Sequence, residues 1–471
     1  MSKKTIITLI GPLLFALCYF CLPVEILGSS EACLAVGTVA WMAFWWVTGV
    51  VDFAVTAFLP IAVNAIFQIT DMSTVISNYA SETILLLLGA SILTVSWEET
   101  GLDKRIAAKF LSLIGSKIQH QIIFWFILSA ALSAILPNAV VCATLTPIAV
   151  SMLKYIGVND IGESKVGSLL LLTIAYAAGV GGLTSPLGGA MNLVTVDYLE
   201  QVTGQEYMYT SWVIRFLPVM IVLVVSNIAM LLMSSKGLED LGGSKDFFKK
   251  QYNAMPEMSK EEKLSLGLFL IATALSFTRQ LYQAYLPGLK PAYVFIICAI
   301  ISFFITKENG ERLLSWKSAQ KKIVWDLMYV FAGGLALGTL INGSGVSEAL
   351  GNLVVEAHLS GGIILIFIIV SLTLLLSDIT SNTATAAVAM PIVISIVQAM
   401  GENPIPYIYV ASIGVNLSYM LPTSIRAIPV GYGLKPNYML RKGIPITIVV
   451  IILMSVLSYV LMTYWPAFST I

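Results

Sequence analysis

Charge is sparse in this sequence. Only 11% of its 471 residues are Asp, Glu, Lys or Arg, against about 25% in soluble globular domains. Too few charged groups are present to coat a water-soluble particle, which excludes a soluble enzyme. Neither sign is in excess, with 26 Lys+Arg against 26 Asp+Glu, so nothing draws the chain to nucleic acid. Histidine is nearly missing, with only His120 and His358. The five cysteines (Cys18, Cys21, Cys33, Cys142, Cys298) follow neither CxxC nor zinc spacing and read as small buried hydrophobes. HExxH, GxSxG and P-loop patterns do not occur, which leaves no nucleophile–base set, no metal catalyst and no organic cofactor to argue for.

What the chain has instead is hydrophobicity: 58% apolar residues and a mean hydropathy of +0.88. A spanning helix needs about 20 apolar residues. Eleven stretches qualify, near 5–22, 32–50, 53–69, 82–98, 165–200, 211–232, 264–282, 291–306, 323–341, 406–434 and 444–466. Two more, 119–155 and 361–398, are too long for one helix and have polar middles, so we read them as re-entrant helical hairpins. The expected fold is an all-α polytopic membrane protein with about 11 transmembrane helices and two such hairpins. The run from Ile6 to Leu22 is taken as a retained first helix rather than a cleaved leader.

Lys and Arg concentrate on the cytoplasmic side of membrane proteins. With the N-terminus inside and both hairpins re-entrant, 22 of the 26 Lys and Arg residues fall on the inner side. Arg279 and Lys290 lie outside, Arg215 and Arg426 lie within spans, and the C-terminus falls outside. This places the chain as a multi-pass protein of the inner, cytoplasmic membrane. The segment 102–113 carries Lys104, Arg105 and Lys109 on an amphipathic pattern and is expected along the inner interface. Its counterpart, 346–358, has no Lys or Arg and is expected along the outer one.

A shift of 244 residues aligns the two halves without a gap. Gly89 meets Gly333 and Gly101 meets Gly345, while Ser133, Ile135, Asn138, Ala143, Pro147, Ile148 and Ser151 meet Ser377, Ile379, Asn382, Ala387, Pro391, Ile392 and Ser395. The charge map sets the copies in opposite orientations. The organisation expected is a first helix (1–31), a first repeat (32–232), a cytoplasmic linker (233–263), a second repeat (264–442) and a last helix (443–471). An inverted repeat with interrupted helices at matching positions points to a secondary transporter with its site near the midplane. Gly334-x-x-x-Gly338 reads as simple helix packing.

The interruptions carry the chemistry. The second hairpin turns at Ser377-Asp378-Ile379-Thr380-Ser381-Asn382-Thr383, whose hydroxyls and amide can donate to a carboxylate or ligate Na⁺. Free N–H groups at the start of its second half-helix favour an anion. The first hairpin turns at Leu136-Pro137-Asn138-Ala139 and keeps only the Asn. Two further breaks are Gly179 to Asn192, rich in glycine, and Leu421 to Pro429, which contains Ser424 and Arg426. An arginine at a helix break in an apolar span is expensive unless it faces a polar cavity or an anion, and its planar fork suits a carboxylate. Arg215 reads as structural.

With these residues in view, the chain resembles the divalent anion/sodium symporter (DASS) family of di- and tricarboxylate transporters. The resemblance covers nearly the whole chain. Ser381-Asn382-Thr383 matches the family's Ser-Asn-Thr hairpin motif, Pro137-Asn138-Ala139 keeps its Asn, and Thr100 to Ala107 is similar to its interfacial helix. The resemblance implies a homodimer working by an elevator motion. It places substrate at Asn138, Gly189, Ser381, Asn382, Thr383, Ser424 and Arg426. One Na⁺ position would map onto Ser133, Pro137, Asn138 and Gly188, and another onto Ser377, Thr380, Asn382, Ser424 and Arg426. The fixed charge of Arg426 where a cation would sit favours exchange of C4 or C5 dicarboxylates (succinate, malate, fumarate, 2-oxoglutarate), with Arg426 unpaired in the empty carrier. Na⁺-coupled symport of dicarboxylate or citrate is the alternative.

Overall fold

In hydrocarbon an uncharged backbone must satisfy its own polar groups, and an α-helix does so within one segment. The computed structural model describes residues 3–307, 310–346, 349 and 361–471. Among them the only strand pairing is a single bridge between Thr306 and Arg312, and nine helical stretches are long and apolar enough to cross a membrane. The protein is an all-α polytopic membrane protein, and residues such as Phe20, Ile66 and Ile364 turn their apolar side chains outward.

Several expected spans are interrupted. The 53–69 stretch divides into Phe53–Thr56 and Leu59–Phe67, because Pro60 has no N–H to bond the carbonyl four residues back. The 291–306 stretch is helical only over Pro291–Ser302. The chain then turns back, with the Leu313 N–H donating to Ile305 O at 2.9 Å. The amphipathic helix runs over Leu102–Leu111; Leu102, Ala107, Ala108 and Leu111 are buried and Lys104 and Lys109 exposed. Nearly all of its expected counterpart, 346–358, lies outside the described residues.

The two halves interlace. Helix Glu82–Thr100 packs on Pro291–Ser302, and helix Trp325–Gly343 packs on Phe53–Thr56. The paired glycines permit both contacts: a Cβ on Gly89 would meet the Phe295 backbone, and one on Gly333 would meet the Ala57 backbone.

Each hairpin is two helices around a short break: Ile118–Ser133 with Asn138–Tyr155, and Ile363–Ile379 with Asn382–Ala399. The two glycine- and proline-rich helices also break, into Lys165–Gly182 with Ala190–Thr203, and Pro404–Asn416 with a short turn over 424–431. The linker is more than a tether. Its helix Ser244–Asn253 buries Phe248 against Trp125, and Asp240 Oδ1 accepts the Ile118 N–H at 2.9 Å. It therefore clamps the base of the first hairpin. Arg215 is structural as expected, tying the chain end to its helix through Ala467 O at 2.8 Å and Thr470 O at 3.0 Å.

Candidate functional site

Two serines paired by the 244-residue shift make like hydrogen bonds. Ser133 Oγ donates to Ala178 O and its repeat mate Ser377 Oγ donates to Val415 O, each at 2.7 Å. Each hairpin is thereby pinned to the neighbouring helix just before that helix unwinds, and the four breaks gather in one region.

In the first break, Asn192 Nδ2 donates to Gly182 O at 2.7 Å and Ser185 O at 2.8 Å, and Trp212 Nε1 donates to Leu183 O at 2.8 Å. These donors satisfy carbonyls that the interrupted helix leaves open. Gly181 and Gly188 allow the close approach, since a Cβ would strike the Ala130 backbone at one and the Gly182 and Ser133 carbonyls at the other. In the second break Asp378, fully buried, accepts on Oδ1 from the N–H groups of Tyr419 and Met420 at 2.9 Å and of Leu421 at 3.4 Å. The carboxylate holds the unwound backbone as a helix would have done.

Above these breaks lies a cavity of about 240 Å³ lined by Asn138, Gly189, Asn382, Thr383 and Ser424. The structure thus brings five of the seven expected substrate residues together. Asn138 is half-buried, and no hydrogen bond engages its amide or the Thr383 hydroxyl among the described residues. Asn382 is more committed: Nδ2 donates to Asn416 O at 3.1 Å and Oδ1 accepts from Ser418 Oγ at 3.4 Å. Ser424 is exposed with a backbone φ of 51°, in the left-handed region. Helices Asn138–Tyr155 and Asn382–Ala399 both begin at this cavity, so two positive dipole ends face it. Two such ends and free amide and hydroxyl donors suit a small molecule carrying carboxylates.

The other two residues stand elsewhere. Ser381 caps its helix, accepting the Ala384 N–H at 3.1 Å, and lines a neighbouring pocket with Thr380. Arg426 is 1% exposed and sits beneath the cavity wall, where Ile425 presents the lining side chain. Its Nε donates to Leu421 O at 3.1 Å and its Nη2 to Thr423 Oγ1 at 3.0 Å. Thr423 Oγ1 in turn donates to Asp378 O at 2.8 Å. The guanidinium is thus held by neutral oxygens beneath the cavity, in the same buried break as the Asp378 carboxylate.

The two cation positions differ. Around Ser133, Asn138 and Gly188 the carbonyls of Ser133 and Gly182 converge on Gly188. At the second position Ser377 Oγ donates to Val415 O and Thr380 Oγ1 pairs with Thr385 Oγ1, each at 2.7 Å, while the Arg426 guanidinium bonds Leu421 O and Thr423 Oγ1.

Sequence reasoning missed the cavity rim. Glu98 and Lys322 line the cavity and also an adjoining vestibule of about 800 Å³ that reaches Gln251 and Met255 of the linker. Lys322 Nζ lies 2.9 Å from Glu99 Oε1 and 3.4 Å from Glu98 Oε2. Glu98 and Lys322 stand 224 positions apart and are not mates under the 244-residue shift, so nothing in the sequence joins them.

Interlaced halves, two hairpins meeting at a cavity and unwound helices beneath it define a membrane transport protein rather than an enzyme. Residues 43–414 match the family model for citrate transporters, and the chain belongs to that family. It is 27% identical over 441 residues to the sodium-dependent dicarboxylate transporter SdcS of Staphylococcus saprophyticus, covering 90% of this chain and 85% of that one. It is 28% identical over 429 residues to SdcS of Staphylococcus aureus, covering 88% and 82%. The resemblance to di- and tricarboxylate transporters read from the hairpin motifs therefore holds, and the protein is a transporter of that class. The fold is also similar to that of the Alcanivorax borkumensis YdaH transporter, whose crystal structure revealed an unusual topology, with a TM-score of 0.54 at 14% identity, over 84% of this chain and 88% of that one.

Proposed function

We propose that the protein exchanges C4 or C5 dicarboxylates across the cytoplasmic membrane by alternating access, the hairpins and unwound helices moving against the interlaced helices as an elevator. Asn138, Thr383 and the remaining Asn382 donor hold the carboxylates, with Ser424 beside them. The observation that supports exchange is Arg426, a buried fixed positive charge among the residues of the second cation position. A carrier so built has at most one cation to offset a dianion.

Exchange also requires that the empty carrier return slowly. Because Arg426 is already hydrogen-bonded beneath the cavity, the penalty lies in the unbonded Asn138 amide and Thr383 hydroxyl. Each buried donor without a partner costs about 1–3 kcal/mol, and bound substrate satisfies them during the crossing. The second reading, Na⁺-coupled uptake, is favoured by the names of the staphylococcal relatives and by the carbonyls that converge on Gly188. The resemblance further implies a homodimer, and positive-inside bias sets the N-terminus in the cytoplasm and the C-terminus outside.

The test is [¹⁴C]succinate uptake into proteoliposomes with and without internal dicarboxylate, each with and without a Na⁺ gradient. Exchange requires uptake that depends on internal substrate and ignores Na⁺. Robust Na⁺-driven uptake into empty vesicles selects the symport reading.

A further inference from the structure

Lys322 stands where no substrate role has been assigned. It sits in the turn before helix Trp325–Gly343, a turn docked on helix Glu82–Thr100 by the Val324 N–H donating to Ser91 Oγ at 3.4 Å. Those helices belong to the interlaced set, not to the hairpins. Yet Lys322 lines the same cavity as Asn138 and Thr383, which come from the hairpin tips across from it. An ammonium has three N–H donors. Glu99 takes one at 2.9 Å and Glu98 a weaker second at 3.4 Å, leaving one for the cavity. The side chain is 41% exposed, so its head can swing toward a ligand without breaking a buried pair.

We propose that Lys322 binds a substrate carboxylate only while the site faces the linker side, making it a determinant of affinity on that face alone. The inference rests on the moving-hairpin carrier proposed above. When the hairpins carry the substrate toward the other face, Lys322 stays behind with its own helix. Glu98 and Glu99 then neutralise it and keep it from trapping the anion. Glu99 acts as a positioning residue, since it holds Lys322 without lining the cavity. The plainer role for Lys322 is to neutralise two glutamates at the C-terminal end of a helix, and the two roles differ in sign under substitution.

The experiment uses the full chain in oriented proteoliposomes, with succinate as probe on each face in turn. Lys322→Met should raise the half-saturating concentration on the linker face about 5- to 20-fold, the loss of one partly exposed charged hydrogen bond. On the opposite face the change should stay under about twofold. Glu99→Gln frees the ammonium and should lower the linker-face value, while Lys322→Arg should restore the parent behaviour. Equal changes on both faces, no change, or weakening by Glu99→Gln would overturn the proposal. If Lys322→Met does not fold, the opposite-signed Glu99→Gln and the rescuing Lys322→Arg still decide. A parent protein that transports no dicarboxylate fails the carrier reading instead, whatever Lys322 does.

Discussion

Asn416 Nδ2 donates to Asn192 Oδ1 at 2.8 Å, joining the two unwound helices side chain to side chain, with Thr195 Oγ1 donating to Ser412 Oγ at 3.1 Å beside it. Asn192 also closes the first break through Gly182 O and Ser185 O, while Asn382 donates to Asn416 O. The second hairpin is thus linked to the first break through three asparagines. A ligand pulling on either hairpin tip pulls on both breaks, which suits a site that moves as a unit.

Replacing Asn192 with Ala removes the donors of two buried carbonyls, each worth about 1–3 kcal/mol when left unpaired. The expected outcome is a lower melting temperature in detergent together with at least tenfold slower dicarboxylate exchange. Thermal melting and transport measured on one preparation check both effects.

Asn138→Ala and Thr383→Ala remove donors that the protein itself does not use. Each should weaken dicarboxylate affinity by roughly 10- to 100-fold, the loss of a hydrogen bond to a charged group, with an unchanged melting temperature. Asn382→Ala should do both, because its amide also holds Asn416 O. Substrate titrations and melting curves separate the two patterns, and unaltered transport in Asn138→Ala would place the site elsewhere.

Arg426 and Asp378 should behave as a compensating pair. Removing one partner of a buried charge pair costs roughly 3–5 kcal/mol, so Arg426→Met and Asp378→Asn are each expected to destabilise strongly. The double variant should recover part of that loss, and a double-mutant cycle measures the coupling. Strict additivity of the two losses would show that the charges do not compensate each other.

The hairpins should open to opposite faces. In a background with the five cysteines replaced, Lys117→Cys at the base of the first hairpin and Gln398→Cys near the base of the second are both exposed positions. An impermeant thiol reagent should reach them from opposite sides of the membrane. Labelling of both from one side would contradict the inverted arrangement.

Class, helices and breaks could be read from the chain because they depend on local properties: apolar length, a proline that lacks an N–H, and an amide inside a hairpin. Asn138, Asn382 and Thr383 were legible as candidates for the same reason, since the 244-residue shift pairs the two asparagines and no apolar span carries such groups idly. Arg426 was legible as important, but its hydrogen-bond partners were not. Only packing decides that its guanidinium turns to Leu421 O and Thr423 Oγ1 rather than into the cavity. The linker's clamp on the first hairpin and the Lys322 rim escaped sequence reading in the same way. Both are contacts between segments far apart in the chain, set by how the halves interlace, and such contacts leave no period in the residues that make them.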